Sequence, residues 1–586
     1  MSTNRPGHES RSTDKFTFCG LTPALCALSL LASTACGGND GETGNDSVAN
    51  TTVTSGPVTT GSAGPNTTGA MESTASAGPV TTGSGTTSNG ADTASTSAGD
   101  TSTAAAVTDG TGGTATASTG SDGNITSTTG GGNADRVTRT ASTFTFQHFP
   151  IEANSEHVWI GPESPVEEPT STTYDTVVLE NAYLKVTLLP DYGGRILSIV
   201  HKPTGRELLY QNALGTPYLM YDEIFYYDYL VIMGGIFPSF PEPEHGKYWN
   251  QPYSLEVISE TDDAVTVRMS RQDDLDLAAG VPAVYDTGRT DVLVELDVTL
   301  RAGSSRLELD TKLTNTRDSA VPEFEYWTVT TLAPGSPPGE TSISLNARII
   351  ADMEQVHLLE SSWPWFGEAE TRVADEVFTW DNLSYFTNWV DQGTAFANPD
   401  YRANYAGTIN YDNDIGILRV SDNVETPGLK LWTFGTGSLD IDINDSDEWL
   451  RPTIEMWYGI TPEFWARTAL AANEVRTWSD VHFPTLGLRE ITAASEYGAV
   501  YLSRSADGTT ALLSAAATLT LPDQTVHAIL RLDGSVVAEQ DVVVAAAEAT
   551  TLSATVPSAD IAPGAVFEVE FLQGDTSLLS GQTTLE

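Results

Sequence analysis

The chain has 586 residues and carries 28 Lys and Arg against 78 Asp and Glu, a formal net charge of −50. That balance repels nucleic acid and anionic membrane surfaces, because neutralising phosphate needs basic side chains that are scarce here. Polyanionic polysaccharides are disfavoured on the same ground, and neutral glycans or small sugars fit the charge better.

Residues 1–36 read as an export signal. Arg5, Arg11 and Lys15 precede an apolar run from Phe16 to Ala32, followed by Ser33-Thr34-Ala35-Cys36-Gly37-Gly38. This end resembles the lipobox of bacterial lipoproteins, which implies lipidation at Cys36 and a lipid-anchored protein of the cell envelope, held to the outer membrane. Ser33 stands where that pattern prefers Leu, and an ordinary signal peptide cut at Ala35 is the alternative. Cys19, Cys26 and Cys36 are the three cysteines of the chain, so the remainder has no thiol, disulfide or thiolate metal site. Residues 37–140 are rich in Gly, Ser and Thr, with no Lys or Arg before Arg136 and no aromatic residue before Phe144. Such a segment cannot bury enough apolar surface to offset its conformational entropy, so a disordered linker is expected.

A folded body is expected over 141–488. Val177 to Leu188 alternates like a half-buried strand, Pro190-Asp191-Tyr192-Gly193-Gly194 turns it, and Arg195 to Val200 returns. Leu255–Ser259 with Val265–Met269 forms a second pair. Val292 to Leu300 and Leu307 to Leu313 make a long hairpin about Arg301–Ser305. Sustained helical periodicity is nearly absent, so the body is predicted to be all-β, with two large facing sheets. From residue 489 to 586 there is no Trp, and Val, Ala, Leu and Thr dominate. Short strands with an Asp533-Gly534 turn predict a C-terminal immunoglobulin-like β-sandwich there.

All twelve tryptophans lie between Trp159 and Trp478, among many carboxylates. Indole faces pack on sugar C–H groups and carboxylates accept hydroxyl hydrogen bonds, which points to carbohydrate. Filling a large core is the competing use for the same rings. The densest polar-aromatic cluster is the loop Pro241-Glu242-Pro243-Glu244-His245-Gly246-Lys247-Tyr248-Trp249. His245 suits proton transfer near neutral pH, and Glu244, Tyr248 and Trp249 could hold a sugar; an ordered structural loop is the alternative. Glu455 lies in the strand-like run Ile454–Tyr458 beside Trp457. Glu325 lies in Glu323-Phe324-Glu325-Tyr326-Trp327, ahead of Trp327. As a pair about 5–10 Å apart the two glutamates would support glycoside hydrolysis. Arg195 could reach a sugar or simply pair with an acid. Trp363 to Phe366 and Trp380 to Trp389 look like aromatic platforms, and Asp440 to Asp447 is either a Ca²⁺ loop or a solvated turn. No paired histidine spacing, phosphate loop, dinucleotide fingerprint or nucleophile elbow is present, so no metal and no cofactor is expected.

Val178-Leu179-Glu180-Asn181-Ala182-Tyr183-Leu184, Leu189-Pro190-Asp191-Tyr192-Gly193-Gly194-Arg195-Ile196, Gly234-Gly235-Ile236, His245-Gly246, Lys430-Leu431-Trp432 and Ile454–Trp457 fall in order along the chain. Together they resemble the galactose mutarotase-like superfamily, and within it an uncharacterised bacterial family of secreted and lipoprotein-anchored proteins. The resemblance implies a two-sheet β-supersandwich whose concave face binds carbohydrate. It further implies a substrate-binding role for His245 and a general base at Glu455. The histidine such enzymes carry on a central strand is missing, since Phe324 and Glu325 stand there. The expected function is therefore carbohydrate binding, with Glu/His acid–base turnover of epimerase, hydrolase or lyase type in one reading. In the other the protein is a non-catalytic glycan-binding surface protein.

Overall fold

The computed structural model describes residues 136–148, 152–153, 159–160, 170–212, 234–241, 246–275, 288–339, 342–353, 356–357, 380–389, 393–398, 400, 402–433, 435–436, 453–462, 466–546 and 548–585. Among these residues the chain is nearly all strand, and its one α-helix is the four-residue Trp380–Leu383. The opening strands are β1 (Thr138–His148), β2 (Thr170–Glu180), β3 (Leu184–Leu189), β4 (Arg195–His201), β5 (Arg206–Leu209) and β6 (Ile236–Ser239). Next come β7 (Ser254–Glu260), β8 (Ala264–Gln272), β9 (Val292–Arg301), β10 (Leu307–Asn315) and β11 (Trp327–Ser336). The body continues with β12 (Ala347–Met353), β13 (Val356–His357), β14 (Gly393–Ala397) and β15 (Arg402–Asn410). It closes with β16 (Ile415–Ser421), β17 (Gly428–Thr433), β18 (Ile454–Gly459) and β19 (Val475–Leu486).

One large sheet has the order β1-β2-β3-β4-β5-β11-β18-β17-β14-β13, with β6 pairing β11 and β4. The second runs β12-β15-β16-β19-β10-β9-β8-β7. The β9–β10 hairpin pairs from Val292↔Asn315 to Leu300↔Leu307, as its alternation predicts. At the head of β4 the Gly193-Gly194 turn needs glycine for two reasons. Gly193 has φ +79°, and a Cβ there would sit 2.1 Å from the Trp249 carbonyl oxygen.

The two sheets share one apolar core. Leu184, Val186 and Leu188 of β3 and Met456 of β18 meet Val294, Leu296 and Val298 of β9 and Ile417 of β16. Within it lies a buried ion pair: Arg419 on β16 donates to Asp480 on β19. The guanidinium also stacks 3.6 Å over the Tyr458 ring of β18, so the second sheet braces the back of that strand.

The C-terminal sandwich has strands β20 (Ala493–Ser495), β21 (Gly498–Ala506), β22 (Thr510–Leu519), β23 (Gln524–Leu532), β24 (Ser535–Val544), β25 (Ala549–Pro557), β26 (Ala565–Gln573) and β27 (Thr576–Leu585). They form sheets β20-β21-β22-β25 and β24-β23-β26-β27. Ala511, Ala515, Leu513, Leu530, Phe567 and Phe571 fill the space between them. This sandwich docks on the outer face of the second body sheet, where Tyr405, Leu418, Val420 and Phe483 pack with Ala499. Ser304 Oγ donates to the Thr520 carbonyl at 2.8 Å, and Leu486 N donates to Thr518 Oγ1 at 3.0 Å.

Candidate functional site

On β18 Met456 and Tyr458 point into the core, so period-two alternation turns Glu455 and Trp457 to the other face of the large sheet. Strand register extends that face into three rows. One runs Ser239, Trp327, Gly459, Gly428, and the next Phe237, Val329, Trp457, Lys430, Phe396. The third is Thr331, Glu455, Trp432, Thr394. Phe237, Trp327, Val329, Phe396 and Trp457 form a hydrophobic cluster, with Trp432 packed against it.

Each glutamate is held by the tryptophan two residues downstream. Trp457 Nε1 donates to Glu455 Oε2 at 2.8 Å, and Trp327 Nε1 donates to Glu325 Oε2 at 3.1 Å. Lys430 Nζ lies 4.1 Å over the Trp457 ring. Glu325 and Trp327 are 0 % exposed, and Glu455, Trp457 and Lys430 are 1 % exposed. At these positions the carbohydrate-binding face that the resemblance implies is buried from solvent. Register also separates the two carboxylates. Glu455 is the partner of Thr331, whereas Glu325 lies six residues upstream of Thr331. The ladder continues in that direction through Ile460 N donating to the Tyr326 carbonyl. At roughly 3.3 Å per residue their backbones stand roughly 20 Å apart. Two glutamate side chains cannot close that span to the 5–9.5 Å or so of two-carboxylate glycoside hydrolysis. The expected Glu325–Glu455 hydrolytic pair is corrected on this ground.

Arg195 lies at the margin of the same face, its guanidinium 3.9 Å over the Phe237 ring. It donates to the carbonyls of Tyr192 (3.1 Å), Gly234 (2.7 Å) and Trp249 (2.9 Å). Through these bonds it clamps three loops, where the sequence left open a sugar contact or a pairing with an acid. Burial lowers this guanidinium to about 10, against the opposing pull of Tyr192, Tyr253 and Glu455. Tyr248 and Trp249 are also structural in their contacts. The Tyr248 hydroxyl donates to Asp273 Oδ1 at 2.8 Å and accepts from the backbone of Asp274 and Leu275. Burial, and then Asp273, push that phenol well above its ordinary value. Trp249 is 4 % exposed and packs edge-to-face on Tyr192, with ring centroids 5.8 Å apart. Beside them Lys247 Nζ binds Asp273 and the carbonyls of Leu275 and Gly288, so the loop after Gly246 is braced from within.

Other expectations divide. Glu244, His245, Cys36, Trp363 to Phe366 and Asp440 to Asp447 lie outside the described residues. Phe386 and Trp389, expected on a rim platform, are core residues, and Trp389 Nε1 donates to the Leu383 carbonyl at 2.9 Å. Tyr385 is exposed, with Arg348 over its ring at 5.1 Å. Phe237 and Phe396 were not singled out by sequence, and Lys430 and Trp432 entered only through the resemblance, not as site residues. Lys430-Leu431-Trp432 repeats the alternation of Glu455-Met456-Trp457, and that match was the available signal. A cavity of about 10 Å³ between the sheets, lined in part by Tyr326, Thr328 and Met269, has room for about one water and none for a sugar.

Residues 159–281 match the family model of a domain of unknown function, DUF5107. Among solved structures the chain is similar to a TPR-domain containing protein from Parabacteroides distasonis, at 15 % identity and a TM-score of 0.45. That match covers 60 % of this chain and 56 % of the other, so the chain spans about half the length of that protein. It is similar to a galactose mutarotase-like protein from Clostridium acetobutylicum at 12 % identity, covering 56 % of this chain and 99 % of that one, with a TM-score of 0.37. A putative aldose 1-epimerase from Klebsiella pneumoniae is similar at 12 % identity, 59 % and 92 % coverage and a TM-score of 0.36. Likeness at this level assigns no activity.

Proposed function

We propose that the body binds carbohydrate on the face where Glu455, Trp457, Lys430 and Trp432 meet, with Glu325 and Trp327 on the same face. One observation carries this: indole is coupled to carboxylate twice on a single sheet face. Indole offers an apolar plane to a sugar ring, and carboxylates accept from its hydroxyls. Glu325, Trp327, Lys430, Glu455 and Trp457 are at most 1 % exposed, so a ligand that reaches them is desolvated. Proton transfer, where it occurs, falls to Glu455 with His245 as the second group, and Glu244 is a further sugar-binding candidate. A neutral ligand remains the best fit to the charge of −50.

A second reading, non-catalytic glycan capture, is favoured by the distance between Glu325 and Glu455. The two readings separate on Glu455→Gln. Calorimetry of the full chain against neutral sugars should give binding in the wild type and at least tenfold weaker binding in Trp457→Leu with the fold retained. Glu455→Gln should abolish any turnover while leaving measurable binding. No binding across the whole panel sinks both readings. The same proposal makes the protein an exported lipoprotein, acylated at Cys36 and held to the outer membrane by lipid and linker alone. Labelling with a palmitate analogue should mark the wild type and not Cys36→Ala; equal labelling of both overturns the anchor.

A further inference from the structure

We propose that the edge strand β1 pairs with β1 of a second copy of this chain, antiparallel and about a two-fold axis, over residues 141–147. This interaction surface does not depend on the carbohydrate reading.

β1 ends the larger sheet, and among the described residues no strand pairs with its other side. Its distal part is also thinly supported. Residues 170–176 of β2 pair with β1 alone, because β3 joins β2 only from Val177 onward. Residues 142–148 and 170–176 are therefore a two-stranded ribbon, a form of marginal stability by itself. Phe144, Phe146 and Tyr174 hold one face of it against Tyr192.

The direction of the backbone groups follows from two bonds. Asn181 N donates to the Leu184 carbonyl, so the odd-numbered residues of β2 turn toward β3 and the even-numbered ones toward β1. Even pairs with even from Thr138↔Glu180 to His148↔Thr170, so the odd-numbered residues of β1 turn to the open side. Val137 agrees, since its N donates away from β2 to the Asp262 carbonyl. That contact and the Arg139–Glu260 pair occupy the near end, and Ala141, Thr143, Thr145 and Gln147 present N–H and C=O groups beyond it. A two-fold axis at Phe144 sets Ala141 of one copy opposite Gln147 of the other, and Thr143 opposite Thr145. Donors then meet acceptors, and the ribbon becomes four-stranded.

Charge argues that the occupant is a second copy. A net charge of −50 drives copies of this chain apart, so they can meet only where acids are absent. Residues 140–148 hold no Asp, Glu, Lys or Arg. The body's other edges carry devices against pairing. β7 has Glu256, Glu260 and a register shift opposite Thr266 and Val267. β12 is covered where Ile349 N donates to the Ser384 carbonyl, and β13 is two residues long. Beyond Arg139, β1 has none of these.

Sedimentation velocity tests this on the full chain carrying Cys36→Ala, under reducing conditions, from about 1 µM to about 200 µM, a range suited to a small interface. The average mass should climb from one copy toward two. Raising salt should strengthen the dimer at least twofold, because it screens the repulsion between copies and breaks no ion pair at the contact. Thr143→Pro removes an outward donor and leaves the β1–β2 ladder, whereas Thr143→Glu brings a carboxylate of each copy to the seam. Each should weaken the dimer at least fivefold. Near-ultraviolet circular dichroism reports the fold, and Thr143→Glu carries the test if Thr143→Pro misfolds. A single copy at every concentration, a dimer that neither variant weakens, or growth past two copies overturns the proposal.

Discussion

The two sandwiches of this chain bury very different things. Among the described residues the body buries Arg195, Glu207, Lys247, Asp273, Glu325, Arg419, Lys430, Glu455 and Asp480. Among the described residues the C-terminal sandwich buries Thr518 and Thr520 as its polar side chains and otherwise packs Ala, Val, Leu, Ile and Phe. Removing a charge from water costs several kcal/mol unless pairing and hydrogen bonds offset it. A sandwich that only supports its neighbour has no use for that cost, and the C-terminal one avoids it. The body accepts it repeatedly, in two different ways. Some charges are saturated by their surroundings: Glu207 accepts from Ser198 at 2.5 Å and from Ile199, Leu208 and Leu209. Others, Glu325, Glu455 and Lys430, gather on one sheet face beside indoles. Clustering, rather than burial alone, separates a candidate site from a structural brace.

The largest effect that tests this contrast is at Arg419. Arg419→Met leaves Asp480 buried with its cationic partner gone, and breaking a buried pair in this way costs about 3–5 kcal/mol. Denaturant unfolding should show the loss in the body transition. A change under about 1 kcal/mol would mean that Asp480 is readily hydrated, and the contrast in charge burial would lose its meaning.

Acid should separate the sandwiches by sign. Burial, and then the Arg419 charge, lower His482 from 6.5 to about 3, and neither ring nitrogen has a hydrogen-bond partner among the described residues. Burial lowers His201 to about 4. A folded value below the unfolded one means that protons favour unfolding. The stabilisation is complete above pH 6.5 and lost as pH falls toward 4 and 3, by about 1.4 kcal/mol per pH unit at His482. His527 in the C-terminal sandwich has the opposite sign, because Asp541 at 2.9 Å and Glu539 at 3.0 Å raise it. Its contribution is present below 6.5 and fades as pH rises through the raised value. Between pH 7 and 5 the fall in unfolding free energy should therefore be shallower in His482→Gln and steeper in His527→Gln than in the wild type, read by denaturant unfolding. The same pH dependence in both variants would refute the assignment.

Much of this architecture is legible in the sequence, and the reason is physical. Period-two alternation in Val292 to Leu313 states both the strands and their inward face, and the Gly-Gly turn before Arg195 states a hairpin. The site is legible only in part. Glu455 and Trp457 declare a shared face by alternation, yet their distance from Glu325 depends on the register of β11 against β18. No local pattern fixes a pairing between segments so remote in sequence. Tyr248 misleads for the same reason, since the Asp273 that claims its hydroxyl lies on the far side of β7 and β8. Arg195 reads as a ligand because side-chain chemistry is visible in sequence, and the three carbonyls that consume it are not. Phe386 and Trp389 look like a platform until tertiary packing draws them into the core.

The smallest effect concerns the seam between the two sandwiches. Ser304 Oγ donates to the Thr520 carbonyl, joining the β9–β10 turn to the segment after β22. A neutral hydrogen bond of this kind contributes about 0.5–1.5 kcal/mol, so Ser304→Ala should cost about 1 kcal/mol. Where that loss appears is more informative than its size. Tyr405, Leu418, Val420 and Phe483 would be exposed if the C-terminal sandwich left the body, so docking should bind the two into one cooperative transition. Ser304→Ala should then lower a single transition seen alike by tryptophan fluorescence, which reports the body, and by far-ultraviolet circular dichroism, which reports both. If the circular dichroism splits into two steps and fluorescence follows one of them unchanged, the sandwiches fold independently. The charge-poor sandwich would then be a passenger, not a support, and its apolar core would say nothing about the charges in its neighbour.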